Sequence, residues 1–217
     1  IVFGDWSSDV CSSDLETVDN ANGSGEWVSI KIAPNGTIGI AYYVSGNGSL
    51  RYAFFTPAAG KVDDKLNWTI RTADDAGNVG NYCSLAYTLS NSEPRIAYYN
   101  STTGALMIAS WFMGNPGWTI ERITGDEGDF GANTSLSLDP AGFAIICYRD
   151  NTVSVNRSGL MFARELPEGW QLYALDTQGV TGFDASMAID GYGYPHISYN
   201  DFGSLYYAYF NGLSWIV

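Results

Sequence analysis

Basic residues, histidine and cysteine are all scarce in this chain of 217 residues. Lys and Arg together number 10 against 23 Asp and Glu, giving a net charge of −13. Lysine occurs only at Lys31, Lys61 and Lys65. With so little positive charge and no basic run, nucleic acid and anionic membrane surfaces are excluded as partners on electrostatic grounds. No apolar stretch approaches the ~18 residues of a membrane span, so no membrane insertion is expected. Helical periodicity of useful length is missing too, as are a phosphate-binding glycine loop, a dinucleotide fingerprint, a nucleophile elbow and any zinc-ligand spacing. His196 is the single histidine. One ring on a strand reads as a satisfied or exposed side chain, not as a metal ligand or base.

Asp5–Leu15, DWSSDVCSSDL, looks like a translated frame of a common sequencing adapter. Ile1–Leu15 is therefore set aside, and the chain is expected to be a fragment from an assembled read that lacks its true ends. Without Asp5, Asp9 and Asp14 the charge becomes −10, and without Cys11 only Cys83 and Cys147 remain. These two stand where other copies of an internal repeat carry Val, Thr, Ala or Ser, so they read as small packed strand residues.

That repeat is the dominant positive feature. GEWVSIKIAPNGTIGIAYY from Gly25 is rewritten as GNYCSLAYTLSNSEPRIAYY from Gly80, GANTSLSLDPAGFAIICY from Gly131 and GFDASMAIDGYGYPHISY from Gly182. The serines Ser29, Ser84, Ser135 and Ser186 are spaced by 55, 51 and 51 residues, a period that belongs to propellers and related arrays. Trp68, Trp118, Trp170 and Trp215 form a second landmark at the same period.

Each period predicts four strands. In the first (Val28–Ile32, Cys83–Tyr87, Thr134–Leu138, Ala185–Ile189), bulky residues alternate with small or polar ones, which puts the two sets on opposite faces. A turn of Asp, Asn, Pro and Gly follows. The second strand covers Ile38–Tyr43, Pro94–Tyr99, Ala144–Tyr148 and Pro195–Tyr199. The third is Leu50–Phe55, Leu106–Trp111, Leu160–Arg164 and Leu205–Phe210, with an alanine recurring where a neighbouring sheet should come closest. The fourth begins at each Trp. The expected fold class is all-β: a β-propeller of four four-stranded antiparallel blades, expected to be part of a larger ring. Blades are placed at 27–72, 83–124, 134–176 and 185–217 within a propeller segment 16–217, with 16–19 as the end of a preceding blade.

The unit S-[LM]-x-[LI]-D-x-x-G-x-P-x-I-S-Y, followed by L-x-Y-A-Y, then W, resembles secreted propeller repeats of the sialidase-like and fucose-lectin-like superfamilies. The last copy carries it best, through Ser186, Asp190, Gly193, Pro195, Ile197, Ser198, Tyr199, Leu205, Tyr207, Ala208 and Tyr209. The resemblance spans Glu16–Val217 and implies the fold more than an activity. Ser137-Leu-Asp139-Pro-Ala-Gly142-Phe143 only approximates the sialidase box: it lies between the first and second strands and lacks the Trp. The arginines form no recognisable carboxylate-gripping set.

The ends of the second strands carry repeated chemistry, and the candidate ligand-binding residues are Tyr43, Tyr99, Asn100, Arg149, Asp150, Asn200 and Asp201. Aromatic rings beside amides and carboxylates suit sugars, which stack on rings and hydrogen-bond through hydroxyls. No cofactor is expected, although Asp74/Asp75 and Asp126–Asp129 could hold calcium through oxygen ligands; acidic solvated turns explain these residues equally well. The sequence thus points to a non-catalytic extracellular or cell-surface propeller that binds glycan or an extracellular protein. The alternative is a truncated sialidase-like glycoside hydrolase or lyase domain whose catalytic residues lie partly outside the chain.

Overall fold

The computed structural model describes residues 16–57, 67–152 and 158–217. The adapter-like segment, Lys61, Lys65 and Arg157 lie outside the described residues. Among the described residues, sixteen strands build four sheets, and each sheet is one repeat. Blade 1 is β1 (Ser24–Ile32), β2 (Ile38–Val44), β3 (Ser49–Phe55) and β4 (Thr69–Asp74). Blade 2 is β5 (Val79–Tyr87), β6 (Pro94–Asn100), β7 (Ala105–Trp111) and β8 (Trp118–Arg122). Blade 3 is β9 (Phe130–Leu138), β10 (Ala144–Asp150), β11 (Gly159–Leu166) and β12 (Gly169–Asp176). Blade 4 is β13 (Phe183–Ile189), β14 (Pro195–Asn200), β15 (Leu205–Phe210) and β16 (Trp215–Ile216). Strands pair antiparallel in chain order within every blade. No helix among the described residues is long and apolar enough to cross a membrane.

The alternation in the first strands sets the stacking of the blades. Bulky Leu85, Tyr87 and Leu136 turn back onto the preceding blade: Leu85 and Tyr87 join Leu50 and Tyr52 in one cluster, and Leu136 joins Leu106 and Ile108 in the next. The small face looks the other way and supplies a hydrogen bond at each step. Ser29 Oγ accepts the N–H of Leu85 at 3.0 Å, Ser84 Oγ that of Leu136 at 3.0 Å, and Ser135 Oγ that of Met187 at 3.1 Å. The repeated serine is thus an inter-blade link, which explains why a polar residue persists inside an apolar strand. Ala53, Ala109, Ala163 and Ala208 are fully buried where facing sheets approach.

The strands β1, β5, β9 and β13 follow one another, each packed beside the next. At the two ends of that succession the same repeat positions change environment. Leu50, Leu106 and Leu160 are 0% exposed, whereas their equivalent Leu205 is 82% exposed. Leu85 is 0% exposed, whereas its equivalent Ile30 is 59% exposed.

The first strands begin two to four residues earlier than the alternation predicts, because each crosses a bulge. Gly25, Gly80, Gly131 and Gly182 all have positive φ, and so do Trp27, Tyr82, Asn133 and Asp184 two positions on. The pairing register shifts at the same place in every blade. A Cβ on Gly131 would come within 2.9 Å of Leu106 Cα, and one on Gly182 within 2.9 Å of Leu160 N. Only glycine lets the inner strand cross so close to the preceding blade. A second difference lies before β1, where residues 16–23 form no strand. Val18 and Ala21 instead pack across blade 1.

Buried polar chemistry repeats as well. Tyr42, Tyr98 and Tyr199 donate their hydroxyls to Asp19, Asp74 and Asp176 at 2.7, 2.5 and 3.0 Å. Burial works against ionised Asp19, yet the Tyr42 hydroxyl, the Ala21 N–H and Arg51 outweigh it and hold its carboxyl below the usual range. Arg95 crosses from blade 2 to blade 3 as a bidentate donor to Glu165 (2.5 and 3.1 Å), and it also donates to Ser110 Oγ and the Gly142 carbonyl. Cys83 and Cys147 are free and buried, and burial pushes both thiols up to about 12. Cys83 Sγ lies 2.8 Å from the Trp27 carbonyl as its donor, another inter-blade link.

Candidate functional site

Register places the bulges beside the ends of the second strands: Glu26 faces Tyr43, Asn81 faces Tyr99, Ala132 faces Arg149 and Phe183 faces Asn200. The candidate residues and the four left-handed positions therefore share one face of the arc.

On blades 1 and 2 this face carries an aromatic row. The Trp27 and Tyr82 rings lie 4.0 Å apart between centroids, and Tyr82 and Tyr99 lie 6.3 Å apart. The Tyr99 hydroxyl donates to Asp129 Oδ1 at 2.5 Å. Arg149 stands over the Phe183 ring at 3.8 Å and donates to the Thr181 carbonyl, Asn151 and Ser158. Burial draws its guanidinium below the ordinary arginine range, while Tyr82, Asp129 and Asp150 pull the other way. Tyr99 and Arg149 are thereby brought together beside Asp129 and Tyr82.

The other candidates serve their own turns. Asn100 Oδ1 accepts the N–H groups of Thr102 and Thr103, Asp150 Oδ1 that of Thr152, and Asn200 Oδ1 that of Phe202. Asn100 and Asp150 are buried. Asn200 also donates to Asp184 at 3.0 Å. Asp201 accepts from the N–H groups of Gly203 and Ser204 and from the Tyr206 hydroxyl; these bonds, led by Gly203, hold its carboxyl below the usual range. Tyr43 donates to Asn78 Oδ1 at 2.6 Å.

Three of the loop acids that could hold calcium are likewise engaged. Asp74 accepts from Tyr98 and the Ala76 N–H, Asp129 from Tyr99 and Asp126 pairs with Arg122. Among the described residues no three His, Cys, Asp or Glu side chains stand close enough to share an ion. Asp139 Oδ1, in the box-like stretch, caps the N–H groups of Ala141 and Phe143, as Asp190 does for Tyr192 and Tyr194. His196 lies against Tyr207 and Tyr209, with Nδ1 at 2.6 Å from the Tyr207 hydroxyl.

Sequence reasoning missed Trp27, Tyr82, Asn133, Asp184 and Phe183, and it named Asp129 only as an acid of a calcium-type loop. The signal was present two positions before each repeat serine, where the copies read Trp, Tyr, Asn and Asp inside an otherwise regular strand.

No protein-family model matches the chain, and no curated protein matches it in sequence. Solved structures do match. A triple arginine-to-alanine mutant of AofleA from Arthrobotrys oligospora aligns with TM-score 0.60 at 15% identity, over 87% of this chain and 54% of that one. An exo-beta-1,3-galactanase from Phanerochaete chrysosporium, solved with beta-1,3-galactotriose, aligns with TM-score 0.54 at 12% identity, over 92% and 49%. The NanB sialidase from Streptococcus pneumoniae aligns with TM-score 0.51 at 12% identity, over 77% and 26%.

The fold is a β-propeller. The chain spans about half the length of the first two matched structures and about a quarter of the sialidase. At these identities the likeness establishes architecture alone, and function has to be argued from the site.

Backbone strain makes the aromatic row informative. A left-handed conformation costs an ordinary L-residue roughly 1–2 kcal/mol, while Asn and Asp visit it more readily. Blades 3 and 4 carry Asn133 and Asp184 there, the residues the backbone prefers. Blades 1 and 2 carry Trp27 and Tyr82 at φ 52° and 53°, against that preference. Trp27 is also 45% exposed, so burial does not explain it.

Proposed function

We propose that this propeller is a non-catalytic, extracellular or cell-surface module that binds glycan on the face bearing the bulges and the ends of the second strands. The observation that carries the reading is the pair Trp27 and Tyr82, large rings held in a strained conformation on an accessible face. Strain retained at a position where the sister blades avoid it points to a role outside folding. Rings of this kind take the apolar face of a sugar, and Asp129 and Arg149 near Tyr82, with Asn133 and Asp184 at the equivalent positions of blades 3 and 4, supply the hydroxyl partners.

Immobilised glycans test the reading. Wild type should be retained on a subset of the array, and Trp27→Asn/Tyr82→Asn should lose at least tenfold in apparent affinity. Asn suits the left-handed backbone, so the double variant should melt no lower than wild type. Unchanged retention by a folded double variant would reject this face. A second reading, a glycoside hydrolase or lyase, draws support from the similar folds of a galactanase and a sialidase. Release of reducing sugar from the retained glycans would favour it.

A further inference from the structure

The tyrosine–aspartate pairs repeat in step with the serines, with one exception. Ten residues before Ser29, Ser84 and Ser186 stand Asp19, Asp74 and Asp176; ten before Ser135 stands Gly125. The carboxylate that would meet Tyr148 is therefore absent. Tyr148 is 0% exposed, and its hydroxyl has no hydrogen-bond partner. A buried unpaired hydroxyl costs about 1–3 kcal/mol, and three sister blades avoid that cost with an aspartate.

Beside Gly125 and Tyr148, between blades 2 and 3, lies a cleft of about 540 Å³. That volume falls in the range of small-ligand sites and far exceeds one water molecule. Phe130 and Met161 give it apolar walls, and Thr124, Thr152, Glu127 and Asp150 give it polar ones. Asp150, at the end of a second strand, is among its lining residues.

We propose that this cleft is a second binding site, for one neutral sugar residue, in which a sugar hydroxyl replaces the missing carboxylate as acceptor for Tyr148. The donor side is well defined: burial first, and then the charge of Asp150, push the phenol well above its ordinary range, so it keeps its proton. The acceptor must be neutral, because Asp150 and Glu127 border the cleft. The neighbouring positive groups are already engaged, Arg122 with the carbonyls of Thr124 and Gly125 and with Asp126, and Arg149 with the Thr181 carbonyl, Asn151 and Ser158. A hydroxyl can accept from Tyr148 and donate to either acid, which an anion cannot do. The proposal takes its ligand class from the glycan reading above, but it concerns different residues and is read out separately.

The repeat supplies the test variant. Gly125 has no positive φ, and a Cβ there would meet nothing within 4 Å. Gly125→Asp should restore the pair found in the other blades and fill the space the sugar would use. The full chain, labelled with ¹⁵N, is titrated with neutral monosaccharides (galactose, fucose, mannose, glucose and N-acetylglucosamine) and with glucuronate, while the amides of Gly125 and Phe130 are followed. At least one neutral sugar should shift these amides saturably. Affinity should fall at least tenfold in Gly125→Asp and in Tyr148→Phe, stay unchanged in Tyr82→Asn, and exceed that for glucuronate. Neither cleft variant should melt below wild type. Silence of these amides with every neutral sugar, wild-type affinity in both cleft variants, or preference for glucuronate would overturn the proposal. Loss of the shifts in Tyr82→Asn would also overturn it, by making the two sites one. Array retention lost in Trp27→Asn/Tyr82→Asn while the cleft shifts persist would confirm both sites; retention unaffected there would reject the aromatic face alone.

Discussion

Glu165→Ala should destabilise the protein by about 3 kcal/mol, the lower end of the cost of leaving half of a buried ion pair unmatched. Its partner Arg95 is 5% exposed and spans two blades. It keeps Ser110 and the Gly142 carbonyl in the variant, so the cost does not reach the upper end. The Ala144 N–H also loses its 2.7 Å acceptor. For a chain of this size the melting midpoint should fall by about 6–12 °C. Arg95→Met/Glu165→Leu should recover most of that loss, since an apolar pair of similar volume carries no desolvation penalty. Thermal unfolding followed by circular dichroism measures all three variants. A fall of under ~1 kcal/mol for Glu165→Ala would mean that the pair behaves as a solvent-screened surface bridge.

Tyr98→Phe and Tyr148→Phe should have opposite consequences although they remove the same atom from equivalent strands. In blade 2 the hydroxyl donates at 2.5 Å to Asp74, a buried carboxylate, and hydrogen bonds to charged groups contribute about 1.5–3 kcal/mol. Tyr98→Phe should therefore cost about 2 kcal/mol. In blade 3 the hydroxyl has no partner, so in the ligand-free protein Tyr148→Phe should be neutral or stabilising. Chemical denaturation with a common slope gives the comparison. Equal destabilisation by both substitutions would show that Tyr148 does have a partner and would remove the basis of the Gly125 cleft.

Much of the architecture was legible because it is periodic. The recurring Tyr placed the second strand of each blade to within two residues, and the recurring Ala marked the closest approach of neighbouring sheets. The start of the first strand was not legible. The bulge at Gly80 and Tyr82 changes the backbone without changing composition, and alternation read back from Ser84 stops at Cys83. The candidate site was half legible for a related reason. Asn100, Asp150 and Asn200 have the composition of ligand contacts, but a side-chain oxygen that caps its own turn looks the same in sequence as one that faces a ligand. Trp27 lies just before the predicted first strand, and nothing in its composition announces its positive φ. The gap at Gly125 acquires meaning only after three Tyr–Asp pairs are seen in space.

The central claim is that sugar meets this propeller on the face of the bulges and second-strand ends. Amide shift mapping of the full chain with a glycan retained on the array tests it most directly. The account predicts that the largest shifts fall at Trp27, Tyr82, Asn133 and Asp184 and at the residues around Arg149. Shifts confined to the opposite turns, at Asn35–Gly36, Asp139–Gly142 and Asp190–Gly193, would contradict it.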